Sequence, residues 1–354
     1  MLLLRYRYGA HLSKEQVAEL VAPHPDTLEL VNSWLKFHGV LSSSISVTHN
    51  GNWLRLTGVS VSKANDLLGA SYQLYRHAET KETIVRTVGY SLPVALHAHV
   101  QTVAPTTHFA SPRMSWQTPR KRSSGAATGL VKAGSSELGT ALSGRDEGDI
   151  TPAILHSLYS SAAYVPAATD RNKLGVGGYG GQSPNPADLS VFMDHLHPAP
   201  DAFEATYTVV QVNDGVYNPA DPGREATVDI QYTSAMAYPT PIIYYSTGDG
   251  PLHEDDPYLI WLHYILDQDD IPQTISTSYA NYEKDYPREH AIILCDLFAR
   301  LGTRGVSVLF STGDWGVGEG DCKTTDGDVR FRPTFPASCT CDVFLCLQAV
   351  YERR

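Results

Sequence analysis

The sequence contains no apolar stretch that approaches the ~20 residues needed to cross a membrane. The apolar run at residues 2–4 is far shorter than the ~7–15 residues of a signal-peptide core, so no export signal is visible. Basic residues are also few, since 27 Lys and Arg stand against 38 Asp and Glu for a net charge of −11. This charge argues against nucleic acid or an anionic membrane as the partner. It is compatible with work in acid, where carboxylates lose their mutual repulsion.

Cysteine is sparse and histidine is not arranged as a metal site. The 354 residues contain five cysteines, an odd number that leaves at least one unpaired, and the count does not decide the redox compartment. The 14 histidines include no HExxH motif or comparable ligand spacing, which disfavours a zinc enzyme. The sequence therefore predicts no metal ligand and no cofactor-binding residue.

Three regions follow one another along the chain. Residues 1–103 predict a small α+β domain, with helices after Ser13 and over residues 25–38 and a β-hairpin turning at Asn50 and Gly51. Residues 104–149 lose all apolar periodicity and predict a linker. The linker contains three consecutive basic residues, which are either solvated charges or a proteolytic processing site: Arg120, Lys121 and Arg122.

The region from residue 150 to residue 338 alternates strand and helix patterns. Such alternation predicts βαβ units, a parallel sheet and flanking helices. Functional groups in these sheets collect beyond the carboxyl ends of the strands. Asp314 follows the last strongly apolar strand, at 306–311, and is therefore a candidate functional residue. Residues 339–354 form a divergent tail.

Glu225 and Asp229 lie one helical turn apart on a predicted helix over residues 225–237. Most such pairs are solvated helix faces, and that interpretation stays open here. However, the neighbouring side chains are apolar and carry almost no other charge, so we expect at least one carboxylate to be buried. Buried adjacent carboxylates titrate as a coupled pair in which one pKa is raised, which suits acid–base chemistry at low pH.

Several segments together resemble the sedolisin family of serine-carboxyl peptidases, especially its secreted tripeptidyl-peptidase-like members. In the first domain the sequence YGAHLSKEQVAELVAP at residues 8–23 resembles the family's propeptide. In the α/β region the resemblance is carried, in order, by ITPAILHSLY (150–159), LGVGGY (174–179), EATVDIQY (225–232), STSY (276–279), GVSVLFSTGD (305–314) and FRPTFPAS (331–338).

The resemblance implies a subtilisin-like α/β fold and a Ser-Glu-Asp catalytic set. Glu225 would be the general base, Asp229 would orient it, and Asp314 would line the oxyanion hole as a protonated carboxyl. Peptides or unfolded proteins would be the substrates, and the protein's own propeptide a further partner. Secretion, a calcium ion in full-length members and a Cys322–Cys339 disulfide are also implied, with propeptide removal near Arg120–Arg122.

Two family features lie outside the sequence as it stands. The catalytic serine, in a Gly-Thr-Ser-x-Ser segment, and the calcium site would follow Ser338, and residue 1 falls inside the propeptide. We therefore expect a peptidase precursor truncated at both ends and lacking its nucleophile. The alternative is a catalytically inactive chain that binds or inhibits through its propeptide-like domain.

Overall fold

The computed structural model describes residues 9–48, 51–77, 81, 83–109, 150–196, 205–250, 256–313, 327–328, 331–339 and 345–347. We call residues 9–109 the first unit and residues 150–347 the second unit. The predicted linker, including Arg120, Lys121 and Arg122, lies outside the described residues after position 109. No described helix is both long and apolar enough to cross a membrane.

The described residues of the first unit form three α-helices and two antiparallel strand pairs. Helix α1 (Lys14–Leu20) begins after Ser13, as the sequence predicts, and Ser13 and Gln16 form a capping box in which each side chain accepts from the other's backbone N–H. Helices α2 (Pro25–Phe37) and α3 (Val61–Leu68) share a small core. The hairpin strands are β1 (Ile45–Val47) with β2 (Leu54–Leu56), and β3 (Gln73–Arg76) with β4 (Thr83–Arg86), and both pairs are antiparallel.

The first unit continues past Val103. Residues 104–109, which the sequence analysis assigns to the linker, stay packed on β4. Thr87 donates its backbone N–H to the Thr106 carbonyl at 3.1 Å, and the buried Arg86 donates its Nε–H to the His108 carbonyl at 2.5 Å.

The second unit is built on six parallel strands, in the spatial order β12-β10-β8-β5-β7-β6. Their bounds are β5 (Leu174–Gly178), β6 (Tyr207–Val212), β7 (Ile242–Thr247), β8 (Thr274–Thr277), β10 (Ser307–Ser311) and β12 (Leu345–Leu347). The short strands β9 (Asn281–Tyr282) and β11 (Thr334–Phe335) form a separate antiparallel pair. The predicted parallel sheet is confirmed.

In the described part of the second unit, the α-helices are α4 (Pro152–Leu158), α5 (Pro186–Leu196), α6 (Arg224–Ala237), α7 (Pro257–Asp267) and α8 (Arg288–Thr303). Helices α5 and α6 pack together over one core that includes Val176 and Tyr244. Helices α7 and α8 contribute to a larger core. Its fully buried members include Trp261, Leu262, Ile265, Ile275, Leu294, Leu297, Phe298, Val308 and Phe310. The α/β class expected from the sequence, a parallel sheet with flanking helices, is confirmed.

The described part of the tail is joined to the second unit in two ways. Strand β12 adds a parallel edge strand beside β10, in a region for which the sequence analysis predicts no strand. Cys339 forms a disulfide with Cys295 of α8, with 5.5 Å between the Cα atoms. The predicted Cys322–Cys339 pairing is therefore wrong, because the fold brings α8 to Cys339. Cys322 lies outside the described residues.

Candidate active site

The first turn of α6 is capped by a side chain from another part of the chain. Gly223 is the N-cap residue and has no side chain with which to accept a hydrogen bond. The Oε1 atom of Gln182 accepts instead, from the backbone N–H of Glu225 at 3.0 Å and of Ala226 at 3.5 Å. A Cβ on Gly223 would lie 2.3 Å from that Oε1, so the glycine leaves room for the substitute cap. This contact fixes the backbone that carries Glu225.

The carboxyl ends of the parallel strands converge on this helix. Ser278 follows β8 directly, and its hydroxyl donates to Asp229 Oδ1 at 2.6 Å. Glu225 is 5% exposed, and the Oδ2 atom of Asp229 is shielded from solvent. The predicted burial of at least one carboxylate is confirmed. The two acids thus occupy the edge of the sheet where parallel α/β folds place their functional groups.

The environment favours a protonated Asp229. Burial is the largest cause that raises the pKa of Asp229 well above its usual range, and the negative charge of Glu225 raises it further. A hydrogen bond with Glu225 acts in the same direction, while the hydrogen bond from Ser278 opposes it. A neutral Asp229 beside Glu225 avoids two adjacent buried negative charges. The pair can therefore share a proton and move it between oxygens one helical turn apart.

Two buried tyrosines border the pair. Burial raises the pKa values of Tyr244 and Tyr279, and the charges of Asp229 and Glu225 contribute to both shifts. Tyr244 Oη donates to the Gln182 carbonyl at 2.8 Å, so one residue links β7 to the loop that caps α6. These buried rings lower the dielectric constant around Glu225 and Asp229, so the electrostatic interaction between the two acids is strong.

The structure brings together two of the three predicted site residues. Glu225 and Asp229 lie side by side, whereas Asp314 lies outside the described residues; β10, which precedes it, ends at Ser311. The sequence analysis missed Gln182 and Ser278. Ser278 belongs to the STSY segment that carries the family resemblance. Nothing near Gln182 indicates that it caps a helix 43 residues later.

Comparison with known proteins agrees with this architecture. The family model of the pro-kumamolisin activation domain matches residues 5–109. The chain is 33% identical over 350 residues to a probable tripeptidyl-peptidase SED3 of Arthroderma benhamiae, over 94% of this chain and 56% of that protein. It is also 33% identical over 352 residues to tripeptidyl-peptidase SED2 of Arthroderma otae, over 95% of this chain and 57% of that protein.

The chain resembles the sedolisin family, in its first unit and along nearly its whole length. The prediction made from its ordered motifs is confirmed, and the first unit is its activation domain. A solved structure of Pseudomonas sedolisin (serine-carboxyl proteinase) with two molecules of pseudo-iodotyrostatin matches with 17% identity and a TM-score of 0.41. That match covers 55% of this chain and 52% of the sedolisin chain. The chain spans a little more than half the length of the curated relatives that it matches.

Proposed function

We propose that the whole protein is an acid-acting peptidase of the serine-carboxyl type, acting on peptides or unfolded proteins. The observation that carries this proposal is the buried pair of Glu225 and Asp229 at the carboxyl edge of the sheet. Its relatives are tripeptidyl-peptidases by name, so release of tripeptides from a free N-terminus is the first activity to test.

The proposed roles follow from the environment of each acid. An ionised Glu225 takes the hydroxyl proton of a serine as the serine oxygen attacks the peptide carbonyl, and later gives that proton to the leaving amine. Asp229, held by Ser278, hydrogen-bonds Glu225 and sets its orientation and basicity. Asp314, when protonated, would donate a hydrogen bond to the developing oxyanion. The serine would come from a Gly-Thr-Ser-x-Ser segment beyond Ser338.

Calcium, secretion and processing belong to the same proposal. Of the described residues, one cluster has three potential metal ligands within 4.8 Å, and two of them are histidines: His108, Asp256 and His290. Calcium takes oxygen ligands, so this cluster does not fit it. We infer that the family's calcium site lies beyond Ser338, and calcium takes no part in the proposed proton transfers. Secretion and propeptide removal near Arg120–Arg122 rest on the family resemblance.

The test begins with the transcript, sequenced across both ends of this reading frame, and uses the complete encoded protein. A fluorogenic tripeptide amide with a free N-terminus should be cleaved in acid, while its N-acetylated form should be resistant. Glu225→Gln should lower kcat by about 100-fold or more, because the general base is lost. Glu289→Gln, an exposed acid on α8, is the control and should leave kcat unchanged.

Two outcomes would contradict parts of this proposal. An unchanged rate for Glu225→Gln would remove Glu225 from the mechanism. Cleavage of the acetylated peptide alone would exclude a tripeptidyl-peptidase and leave an endopeptidase.

A second candidate function is inhibition of a related peptidase by the 354-residue chain itself. It is favoured by the docking of the first unit on α7 and α8, in which Lys14 pairs with Asp267 at 3.3 Å and Trp53 packs on His263. If the chain acts in this way, it should be monomeric, unfold cooperatively and slow an active relative at micromolar concentration. Aggregation of the purified chain would argue against this function.

A further inference from the structure

The first unit contacts the helix pair α7–α8 near both ends and in the middle. At one end, Lys14 Nζ lies 3.3 Å from Asp267 Oδ1, where α7 ends. In the middle, the Trp53 ring meets the His263 ring edge-on, with 4.8 Å between centroids. At the other end, His108 packs against the start of both helices. This face holds the first unit on the second unit, and two of its three contacts contain an imidazole, buried in His108 and half-buried in His263.

The contact at His108 is a buried cluster of two imidazoles and one carboxylate. His108, Asp256 and His290 are 5%, 6% and 6% exposed. Asp256 Oδ2 lies 2.5 Å from His290 Nε2 and 3.5 Å from His108 Nε2. The two imidazole rings stack with 4.6 Å between centroids, and His108 also stacks on Tyr286 at 4.7 Å. One group of this cluster comes from the first unit and the others from the second.

The hydrogen bonds of the cluster are made by Asp256 and His290, while the His108 ring has only the longer 3.5 Å contact with Asp256. Asp256 is the N-cap of α7, and its Oδ1 accepts from the backbone N–H groups of Tyr258 at 2.8 Å and Leu259 at 3.3 Å. Its Oδ2 is hydrogen-bonded to His290 Nε2. Among the described residues, neither ring nitrogen of His108 makes a hydrogen bond. The ring is therefore held in the docked state by packing, as a neutral group.

Two imidazoles and a carboxylate are groups that bind zinc, but the orientation of the two rings does not allow them to share one ion. A metal ion bound by imidazole lies in the ring plane, on the nitrogen lone pair. The rings of His108 and His290 are stacked and only 18° from parallel, so their planes do not meet at a common point beside both nitrogens. The cluster is better explained by stacking and hydrogen bonding than by a shared ion.

Electrostatics makes this cluster sensitive to acid. The charged or titratable groups that face His108 are Asp256 from α7, His290 and Tyr286 from α8 and the turn before it, and Arg86 from β4. Asp256 is the one carboxylate among these groups, and its Oδ2 already contacts His290 Nε2 at 2.5 Å. A cationic His108 would therefore be buried beside Arg86 with little compensating negative charge.

We propose that His108, Asp256 and His290 form an acid-sensitive latch, in which protonation of His108 releases the first unit from α7 and α8. The latch does not require this chain to cleave a peptide. Its failure would therefore leave the proposed function untouched, and failure of the proposed function would leave the latch untouched.

The direction of the pH effect follows from linkage. Burial is the largest cause that lowers the pKa of His108 from 6.5 to about 4; Asp256 opposes the shift, while His290 and Arg86 add to it. An undocked, solvated His108 binds a proton more readily than a docked one, so docking loses free energy as the pH falls. The loss begins near pH 6.5 and is complete below about pH 4. It weakens docking on the order of a hundredfold.

His263 is expected to add to this effect. Burial is again the largest cause that lowers its pKa to about 4, with Arg300 and Arg55 acting in the same direction. Protonation of His263 is therefore unfavourable in the docked state, and it opposes docking over the same pH range as His108. A variant that removes only the His108 proton site should retain part of the acid response.

The experiment is hydrogen exchange by mass spectrometry on the full chain between pH 7.5 and pH 4, corrected for intrinsic exchange rates. Peptides covering residues 83–109 should lose protection on the order of a hundredfold over this range, while peptides from β7 stay protected. His108→Phe keeps an aromatic ring but cannot bind a proton, so it should retain at least about tenfold more protection at pH 4. His195→Gln, an exposed histidine of α5, should behave as the wild type.

Two further measurements test the latch if the first unit of His108→Phe does not dock. His108→Lys carries a fixed charge and should expose residues 83–109 already at pH 7.5. The His108 ring protons, followed by NMR in the wild-type chain, should titrate near pH 4 while the unit is docked. Titration near pH 6.5 with protection retained, or an equal loss of protection in wild type and a docked His108→Phe, would overturn the latch.

Discussion

At the residue scale, Gly178 at the end of β5 leaves room for the side chain of Tyr244 from β7. A Cβ at this position would lie 2.0 Å from Tyr244 Oη and 2.4 Å from Cζ. Tyr244 cannot move away easily, because it is fully buried and its hydroxyl donates to the Gln182 carbonyl. Gly178 is therefore required for close packing beside the candidate site.

Gly178→Ala should lower the free energy of unfolding by about 1–3 kcal/mol, because the added methyl group overpacks a site that cannot expand. The measurement is the midpoint of urea unfolding. Gly177→Ala is a matched control in the same strand, since its Cβ would lie 3.4 Å from Thr277, an ordinary contact. Equal midpoints for the two variants would show that Tyr244 moves aside freely.

At the element scale, the start of α6 depends on Gln182 in place of a capping side chain. Gln182→Gly should destabilise the protein by about 0.5–2 kcal/mol, as the loss of a helix cap does elsewhere. Gly223 has φ −84° and ψ 141°, the extended conformation that suits serine at an N-cap. A Cβ at residue 223 would lie 2.6 Å from the Cβ of Gln182, so glycine at 182 is needed to make room for it. Adding Gly223→Ser to Gln182→Gly should therefore restore much of the lost stability.

The single Gly223→Ser variant is the control, because its new side chain would collide with Gln182 Oε1 when that cap is still present. Thermal unfolding of the four proteins forms a double-mutant cycle. An additive result, with no rescue in the double variant, would show that Gln182 stabilises the protein through some other contact.

The sequence predicts elements well where a long apolar pattern repeats. Helix α2 and strand β10 lie within one residue of the predicted bounds, because their buried faces follow the helix and strand periods. The analysis missed α4 and β12, whose short segments carry too little local pattern. Strand β3 was missed for a related reason, since its side chains are mostly exposed and its structure depends on pairing with β4.

The candidate site shows the same division between local and non-local information. Glu225 and Asp229 are one helical turn apart, so their sequence spacing alone predicts that they share a face. Ser278 reaches Asp229 across a separation of 49 residues, and no local pattern encodes that contact. The disulfide is a similar case: the resemblance suggested Cys322, and only the folded position of α8 identifies Cys295 as the partner of Cys339.

At the scale of the whole molecule, the Cys295–Cys339 bond links the segment after β11 to helix α8, one of the two helices that contact the first unit. The bond closes a loop across a sequence separation of 44 residues, which includes strand β10 of the sheet. A cross-link over such a loop removes conformational freedom mainly from the unfolded chain. The bond should therefore stabilise the second unit as a whole, including the face on which the first unit docks.

Cys295→Ser should lower the free energy of unfolding by about 2–4 kcal/mol in oxidising buffer, and the reduced wild-type protein should behave like the variant. Non-reducing peptide mapping should recover Cys295 linked to Cys339. Cys322→Ser is the matched control and should leave both the stability and the mapped bond unchanged. Recovery of a Cys322–Cys339 peptide, or a loss of stability in the control equal to that of Cys295→Ser, would contradict the pairing and restore the one implied by family resemblance.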